Sequence, residues 1–501
     1  MQHLKNLLQQ HTYALLLVLF IVIPRAIVLQ KATRVGLGVD DLQSAIHAFL
    51  PIPQLLESVR TFDPHPPLFY LQLHFWEWAG TGDAWLRANT ILWGVLSIAS
   101  LLFVGKKVWG SAQIGILSSM FFALSPLLLE YSLSLRMYVL MIFLGIWVWY
   151  FTHIFFTSER LYPAGFGVWL SALAFLYSQG AAFIILPAMS AYALLLAAKS
   201  WKMMWRRLVG YLAIQGAIVI LYIPWLLRAK DIHLAHPLVP NWKDVAMTIS
   251  QLLFGHSIVH ISGRWGYVFP TVLFILLVVT FLWNKRSKDI TIAFILVPLA
   301  TCFLVSYLIE PIWLTRTLVL VSPFVSLAVA LVTDDILRNR RHCGGRNRFH
   351  LWGKISLISV FAAGSFFAIV SFVGHNYVTW TPLKESAIYI HENAGNNDIV
   401  FIPNERMYWG WCWYFLGPGH VTPLTTDYTM MQDGITIISR PSVEAQTRQY
   451  EGERTWWIVY RDYDTFGPLP IEPVLENPET IKMFFNTCVA KVVISKDILT
   501  P

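Results

Sequence analysis

The strongest constraint on this chain is its succession of apolar runs. Crossing a bilayer core of about 30 Å takes roughly 20 apolar residues in a helix. The first run that meets this need is Tyr13–Leu29. Others follow at Asn89–Val104, Ala112–Leu129, Met137–Phe156, Gly165–Tyr177, Ala181–Ala198, Leu208–Leu227, Tyr267–Trp283, Ile290–Ile309, Leu314–Val332 and Leu351–Val373. About eleven spans are therefore expected, in a mainly α, polytopic membrane protein. Of the 501 residues, 56% are hydrophobic and 13% charged, where a soluble domain carries about 25% charge. That shortage excludes a disordered chain and an ordinary soluble enzyme. Four cysteines form neither a disulfide framework nor a CxxC metal site.

The net charge of +8 is explained by where the basic residues lie. With the N-terminus in the cytoplasm, the inside loops hold Lys106 and Lys107, Arg160, the group Lys199 to Arg207, Lys285 to Lys288, and Arg338 to Arg348. The short outside connections hold few, Arg136 and Arg316 among them. This is the positive-inside asymmetry; it argues against nucleic acid as a partner and for a multi-pass membrane protein with loop 30–88 and the C-terminal tail on the outer side. The first span is read as a retained anchor. It follows that residues 1–374 form the membrane domain, with outer loops at 30–88 and 228–266, and that residues 375–501 form an extracytoplasmic domain. In that tail Thr381, Pro382 and Gly395 bracket a helix. The runs Ile399–Ile402, Trp456–Tyr460 and Val489–Ile494 read as strands, giving a small α/β domain.

Chemistry is expected in the first outer loop. Asp40-Asp41 follows the first span directly, then an amphipathic stretch, Leu42–Val59, and then Asp63-Pro64-His65-Pro66-Pro67-Leu68-Phe69-Tyr70. Adjacent carboxylates suit a general base with a second group that orients it or holds a divalent ion. The plainer alternative is that Asp40 caps a helix while Asp41 faces solvent. Proline fixes the backbone at His65, which would stand at a helix N-terminus, where a phosphate is welcome.

Taken in order, Asp40-Asp41, the His65-Pro-Pro-Leu-Phe-Tyr segment, Arg87 at the start of span two, Ser125-Pro126-Leu-Leu-Leu-Glu130-Tyr131-Ser132, and Arg136-Met137-Tyr138 resemble the membrane glycosyltransferases of the GT-C fold. The likeness is to the bacterial relatives of the dolichyl-phosphate-mannose–protein mannosyltransferases and to the aminoarabinose transferase of lipid A. Leu314-Thr315-Arg316 with Ser322-Pro323 is similar to a further segment of that family. Asp41 stands where the family has Glu, and Leu133-Ser134 replace its Gln-Glu.

The resemblance implies a hexosyl or pentosyl donor carried on a polyprenyl phosphate. The acceptor is a hydroxyl on a lipid, glycan or protein at the outer face, and the transfer inverts the anomeric centre. By the same token Asp40 is the base and Asp41 its partner, with a divalent cation near the pair as one option. His65, Arg87, Arg136, Tyr138 and Arg316 become candidates for the donor phosphate and substrate, since arginines near the bilayer are costly without a partner. Rival readings are a transporter or flippase and a non-catalytic envelope scaffold. The gathering of ionisable residues at the outer ends of spans, together with the large outer loops, favours the enzyme over a transporter built on inverted repeats.

Weaker signals lie elsewhere. Asp462 and Asp464 follow a predicted strand, where a turn is the default. His233, His236, His256 and His260 lack a complete zinc set and read as interfacial, beside Trp242, Lys243 and Arg264. The aromatic segment Tyr408 to Tyr414 suits either a sugar face or a membrane interface. Cys412 and Cys488 are candidates to pair, and Cys302 and Cys343 are expected as free thiols.

Overall fold

The computed structural model describes residues 21–34, 36–229, 239–256, 264–339, 345–374, 383–396, 398–402, 405–421, 429–432, 435–439, 454–461, 480–484 and 487–494. The chain divides into two compact units. One comprises Met1–Gln30, Phe62–Phe69 and Ala88–Tyr377, and the other Lys31–Thr61, Tyr70–Arg87 and Val378–Pro501.

The helices in chain order are α1 (21–34), α2 (Val39–Phe49), α3 (Ile52–Phe62), α4 (Leu68–Glu77), α5 (Asp83–Trp109), α6 (Ala112–Ala123), α7 (Pro126–Leu133), α8 (Tyr138–Thr157), α9 (Leu161–Leu176), α10 (Ile185–Ala198), α11 (Trp201–Ala229) and α12 (Trp242–Phe254). They continue with α13 (Trp265–Trp283), α14 (Lys288–Leu308), α15 (Val321–Asn339), α16 (Gly345–Gly374), α17 (Leu383–Asn393) and α18 (Glu405–Leu416). Among the described residues, α5, α8, α11, α13, α14 and α16 are each long and apolar enough to cross a membrane. The pair α6–α7, bent by 58°, makes a seventh such span, and α9 and α10 are shorter apolar helices. The chain is a polytopic membrane protein.

Local chemistry explains the departures from simple rods. The α6–α7 bend falls at Leu124-Ser125-Pro126. Ser125 caps α7 by accepting from the Leu128 N–H, and Pro126 occupies a first-turn position where its missing N–H costs nothing. In α14 the π turn Ile292–Leu296 ends two residues before Pro298, which has no N–H to give to the helical ladder. The run Leu314–Val332, expected as one span, is broken instead. A 3-10 turn at Thr315–Thr317 comes first, and α15 starts only at Val321, with Pro323 in its first turn. The amphipathic stretch Leu42–Val59 is likewise two helices, α2 and α3, because Pro51 stops the first. Small residues set the closest helix crossing. A Cβ on Gly105 of α5 would lie 2.8 Å from the Gly115 Cα of α6, so these backbones meet without side chains between them.

In the second unit a six-stranded sheet has the order β2-β3-β1-β4-β6-β5, with β1 (Ile399–Ile402), β2 (Thr429–Gln432), β3 (Ile435–Ser439), β4 (Arg454–Arg461), β5 (Thr480–Phe484) and β6 (Thr487–Ile494). β1 runs parallel to both its neighbours and the other pairings are antiparallel. All four β1 residues are buried, as a central strand covered on both faces requires. The α/β character expected of the tail is present. Thr381 and Pro382 lie outside the described residues, and the helix they were expected to open is α17. Helices α2, α17 and α18 meet at Gly410, where a Cβ would sit 3.0 Å from both Leu42 and Leu383. Tyr408, Trp411 and Cys412 of α18 are fully buried. Most of the aromatic segment is therefore core, with Trp409 and Tyr414 half-buried. Cys412 and Cys302 are free buried thiols.

Candidate active site

The start of α2 sorts the two adjacent carboxylates. Asp40 is exposed in the first helical turn, and its backbone carbonyl accepts from the Ser44 hydroxyl (3.2 Å). Asp41 is buried. Its carboxylate lies 3.6 Å from the Arg87 guanidinium and 3.4 Å from the Gly38 N–H, so Asp41 caps the helix and Asp40 faces solvent. This reverses the simple capping alternative. Helical geometry explains it, because Asp41 occupies the third position of the helix, from which a side chain reaches back to the residue before it.

Arg87 serves as a clamp. It donates to the Gly36 carbonyl (2.7 Å) and the Ala32 carbonyl (3.5 Å) while pairing with Asp41. One turn earlier Asp83 takes a salt bridge from Lys384 (2.8 Å) and a hydrogen bond from the Tyr414 hydroxyl (3.1 Å), which itself accepts from the Leu37 N–H (2.6 Å). Burial and the neighbouring Asp83 charge push the Tyr414 phenol well above its ordinary value, so it stays a donor to Asp83. The segment 36–38 leading into Asp40 is thus fixed by hydrogen bonds to α5 and α18. As a divalent-cation site the Asp40–Asp41 pair fits poorly. One carboxylate is committed to an arginine and only the other is exposed, and no cluster of three His, Cys, Asp or Glu ligands occurs among the described residues.

His65, Arg136, Tyr138 and Arg316 belong to the first unit. The His65 backbone N–H donates to Asp63 (2.8 Å), and its Nδ1 accepts from the Gly180 N–H (3.3 Å). With Nδ1 as acceptor, the neutral ring carries its proton on Nε2. A Cβ on Gly180 would meet the Pro64 carbonyl at 2.8 Å, and the Leu68 N–H donates to the Tyr177 carbonyl (3.1 Å). The His-Pro-Pro segment is thereby held to the loop after α9. Arg136 and Tyr138 are buried at the head of α8 and Arg316 is half-buried. The Tyr138 ring stands 4.8 Å from that of Tyr131, and the Arg316 charge acts on the Tyr131 hydroxyl. Thr315 donates to Gln251 of α12, tying the Arg316 turn to that helix.

One arrangement was not visible from the sequence. The Glu130 carboxylate accepts the His256 backbone N–H (2.8 and 2.9 Å) and the His256 Nδ1–H (2.9 Å). Gly255 makes it possible. Its φ is +75°, and a Cβ there would lie 2.5 Å from Glu130. His256 therefore serves as partner to an acid 126 positions earlier. His233, His236 and His260, like Asp462, Asp464 and Cys343, lie outside the described residues.

The fold these helices build is the GT-C fold of membrane glycosyltransferases. Two crystal structures of ArnT from Cupriavidus metallidurans are similar to this chain. The apo form covers 97% of this chain and 98% of its own with a TM-score of 0.59 at 11% identity. The form bound to undecaprenyl phosphate covers 97% and 99% with a TM-score of 0.58 at 12% identity. No protein-family model and no curated protein matches the sequence, so the likeness rests on the course of the backbone.

Proposed function

We propose that this protein is an integral-membrane glycosyltransferase that moves a sugar from a polyprenyl-phosphate carrier to an acceptor hydroxyl on a lipid, glycan or protein. The observation that carries the reading is Asp40, an exposed carboxylate on a rigidly held helix start, within a GT-C fold that spans the chain. The acceptor oxygen attacks the anomeric carbon as the bond from that carbon to the phosphate oxygen breaks, and the electron pair leaves with the polyprenyl phosphate. The configuration inverts, and Asp40 takes the hydroxyl proton.

In this reading Asp41 and Arg87 are positioning residues, since each is spent on holding the other and the segment before α2. His65, Arg136 and Arg316 supply donors and positive charge to the leaving phosphate. Tyr138 sets the Tyr131 ring beside Arg316. In the orientation given by the basic loops, the reaction takes place at the outer face of a bacterial plasma membrane, with the tail domain on that side.

The test is release of polyprenyl phosphate and sugar transfer by the purified enzyme. Asp40→Asn keeps the size and removes the base, so turnover is expected to fall by about 10²–10⁴-fold, with expression and donor binding retained. Turnover at the parental rate in that variant would remove Asp40 as base.

A further inference from the structure

The helical unit contains a buried cation that none of the roles above uses. Arg25 lies on the inward stripe of α1 with Pro24 and Val28, while Val22, Ile23, Ala26 and Leu29 face outward. The side chain is 6% exposed, and none of its three guanidinium nitrogens has a hydrogen-bond partner among the described residues. Its surroundings explain why. Gly94 of α5 leaves room at this point, since a Cβ there would lie 3.8 Å from Arg25 Nε and 3.1 Å from Ser132 Oγ. Ser132 donates to the Leu128 carbonyl (2.6 Å), and the Ser132 carbonyl accepts from Thr90 (2.9 Å). The nearby polar groups are thus committed to one another.

Among the described residues of this unit, Glu159 and Glu310 are exposed, Asp244 caps α12, and the remaining acids are committed as well. Glu130 is held by His256, Asp63 by the His65 N–H, Asp289 by Lys199, Asp334 by Arg286 and Arg338, and Asp335 by Lys354. A guanidinium stays charged in any protein, and a charge inside a membrane protein without a counter-charge is costly. An anion that enters from outside the chain would supply the counter-charge that the described residues do not. Within an apolar span, the anions that arrive carried on lipid are chiefly phosphates, and the planar guanidinium fork matches two phosphate oxygens at once.

We propose that Arg25, facing the gap left by Gly94, is an intramembrane binding site for a lipid phosphate group. The phosphate can come from a polyprenyl phosphate or from an ordinary bilayer phospholipid. Only the first source rests on the transferase reading.

The test uses full-length protein in detergent. Binding is measured by native mass spectrometry and melting temperature with undecaprenyl phosphate, undecaprenol and phosphatidylglycerol, for the parent, Arg25→Met and Arg25→Lys. The parent is expected to prefer at least one phosphate lipid over undecaprenol by about tenfold or more. Arg25→Met should lose that preference and Arg25→Lys retain part of it. Without lipid, Arg25→Met should melt no lower than the parent, since an unpaired buried charge has been removed.

A preference for undecaprenyl phosphate that Arg25→Met loses supports the site and makes the carrier its ligand. A lost preference for phosphatidylglycerol alone supports the site and makes a bilayer phospholipid its ligand. Two results overturn the proposal. One is an undiminished phosphate preference in Arg25→Met. The other is a lower lipid-free melting temperature in that variant, which would mean that Arg25 has a partner within the protein.

Discussion

Arg25 in α1 and Glu77 at the end of α4 are equally buried, at 6% exposure each, and neither has a side-chain hydrogen-bond partner among the described residues. Their chemistry separates them. An acid in that position can become neutral by taking up a proton, and burial pushes the Glu77 carboxyl up to about 9. A guanidinium has no such exit and must wait for an anion. Asp41 and Arg87 show the third solution, in which two buried charges, at 4% and 3% side-chain exposure, neutralise each other. Proton, ligand and internal pair are three answers to one desolvation problem, and each leaves a different experimental signature.

The largest effect is expected where the internal pair is broken. Arg87→Met leaves Asp41 buried and uncompensated and releases the Gly36 and Ala32 carbonyls, at a cost of about 3–5 kcal/mol. Denaturant titration of the detergent-solubilised protein measures it. Adding Asp41→Asn should recover a large part of that loss, because removing both charges of a buried pair is far milder than removing one. A single variant within about 1 kcal/mol of the parent would show that Arg87 does not carry the start of α2.

A smaller effect tests the paired acid of the helical unit. Gly255→Ala forces a left-handed backbone on a residue with a Cβ and drives that atom against Glu130, so a loss of about 1–3 kcal/mol is expected. Gly216→Ala in α11, where a Cβ meets nothing within 4 Å, serves as control and should gain up to about 1 kcal/mol. Equal effects at the two glycines would mean that the Glu130–His256 lock has room to spare.

These contrasts also mark what the sequence made legible. Run length alone located the long apolar helices between Asn89 and Val373, because a bilayer imposes one period and one length on each span, but it showed neither α12, read as part of an outer loop, nor α18. It missed the break at Thr315 to Thr317, where the residues are apolar enough to pass but a turn is tied to Gln251 of α12. β1, β4 and β6 stood out as β-branched and aromatic runs. Thr429–Gln432, Ile435–Ser439 and Thr480–Phe484 did not, since each is short and mixes polar residues with its apolar ones. Adjacency announced Asp40 and Asp41, but which of the two is exposed depends on Arg87, brought to Asp41 by the fold. Glu130 and His256 are joined across 126 positions by a glycine whose φ no local pattern reveals. Arg25 was in plain view inside the first apolar run. What made it informative was the lack of a partner among the described residues, and only the packed structure holds that fact.

The proton solution is read as a slope against pH, and its sign follows from linkage. The Glu77 carboxyl sits near 4.5 in its ordinary state and at about 9 when folded, so between those values the folded protein holds a proton that the unfolded chain has released. Stability from this group is whole below about 4.5 and is lost as pH rises toward about 9, by at most about 1.4 kcal/mol per pH unit. Melting temperatures of the parent should therefore decline between pH 5 and pH 9, with Glu77→Gln removing part of the decline, since a neutral amide mimics the protonated acid. Arg25→Met should leave the slope unchanged, because the guanidinium does not titrate in that range. An identical slope in Glu77→Gln and the parent would mean that Glu77 is ionised when folded. A cation must then be sought for it, as an anion is for Arg25.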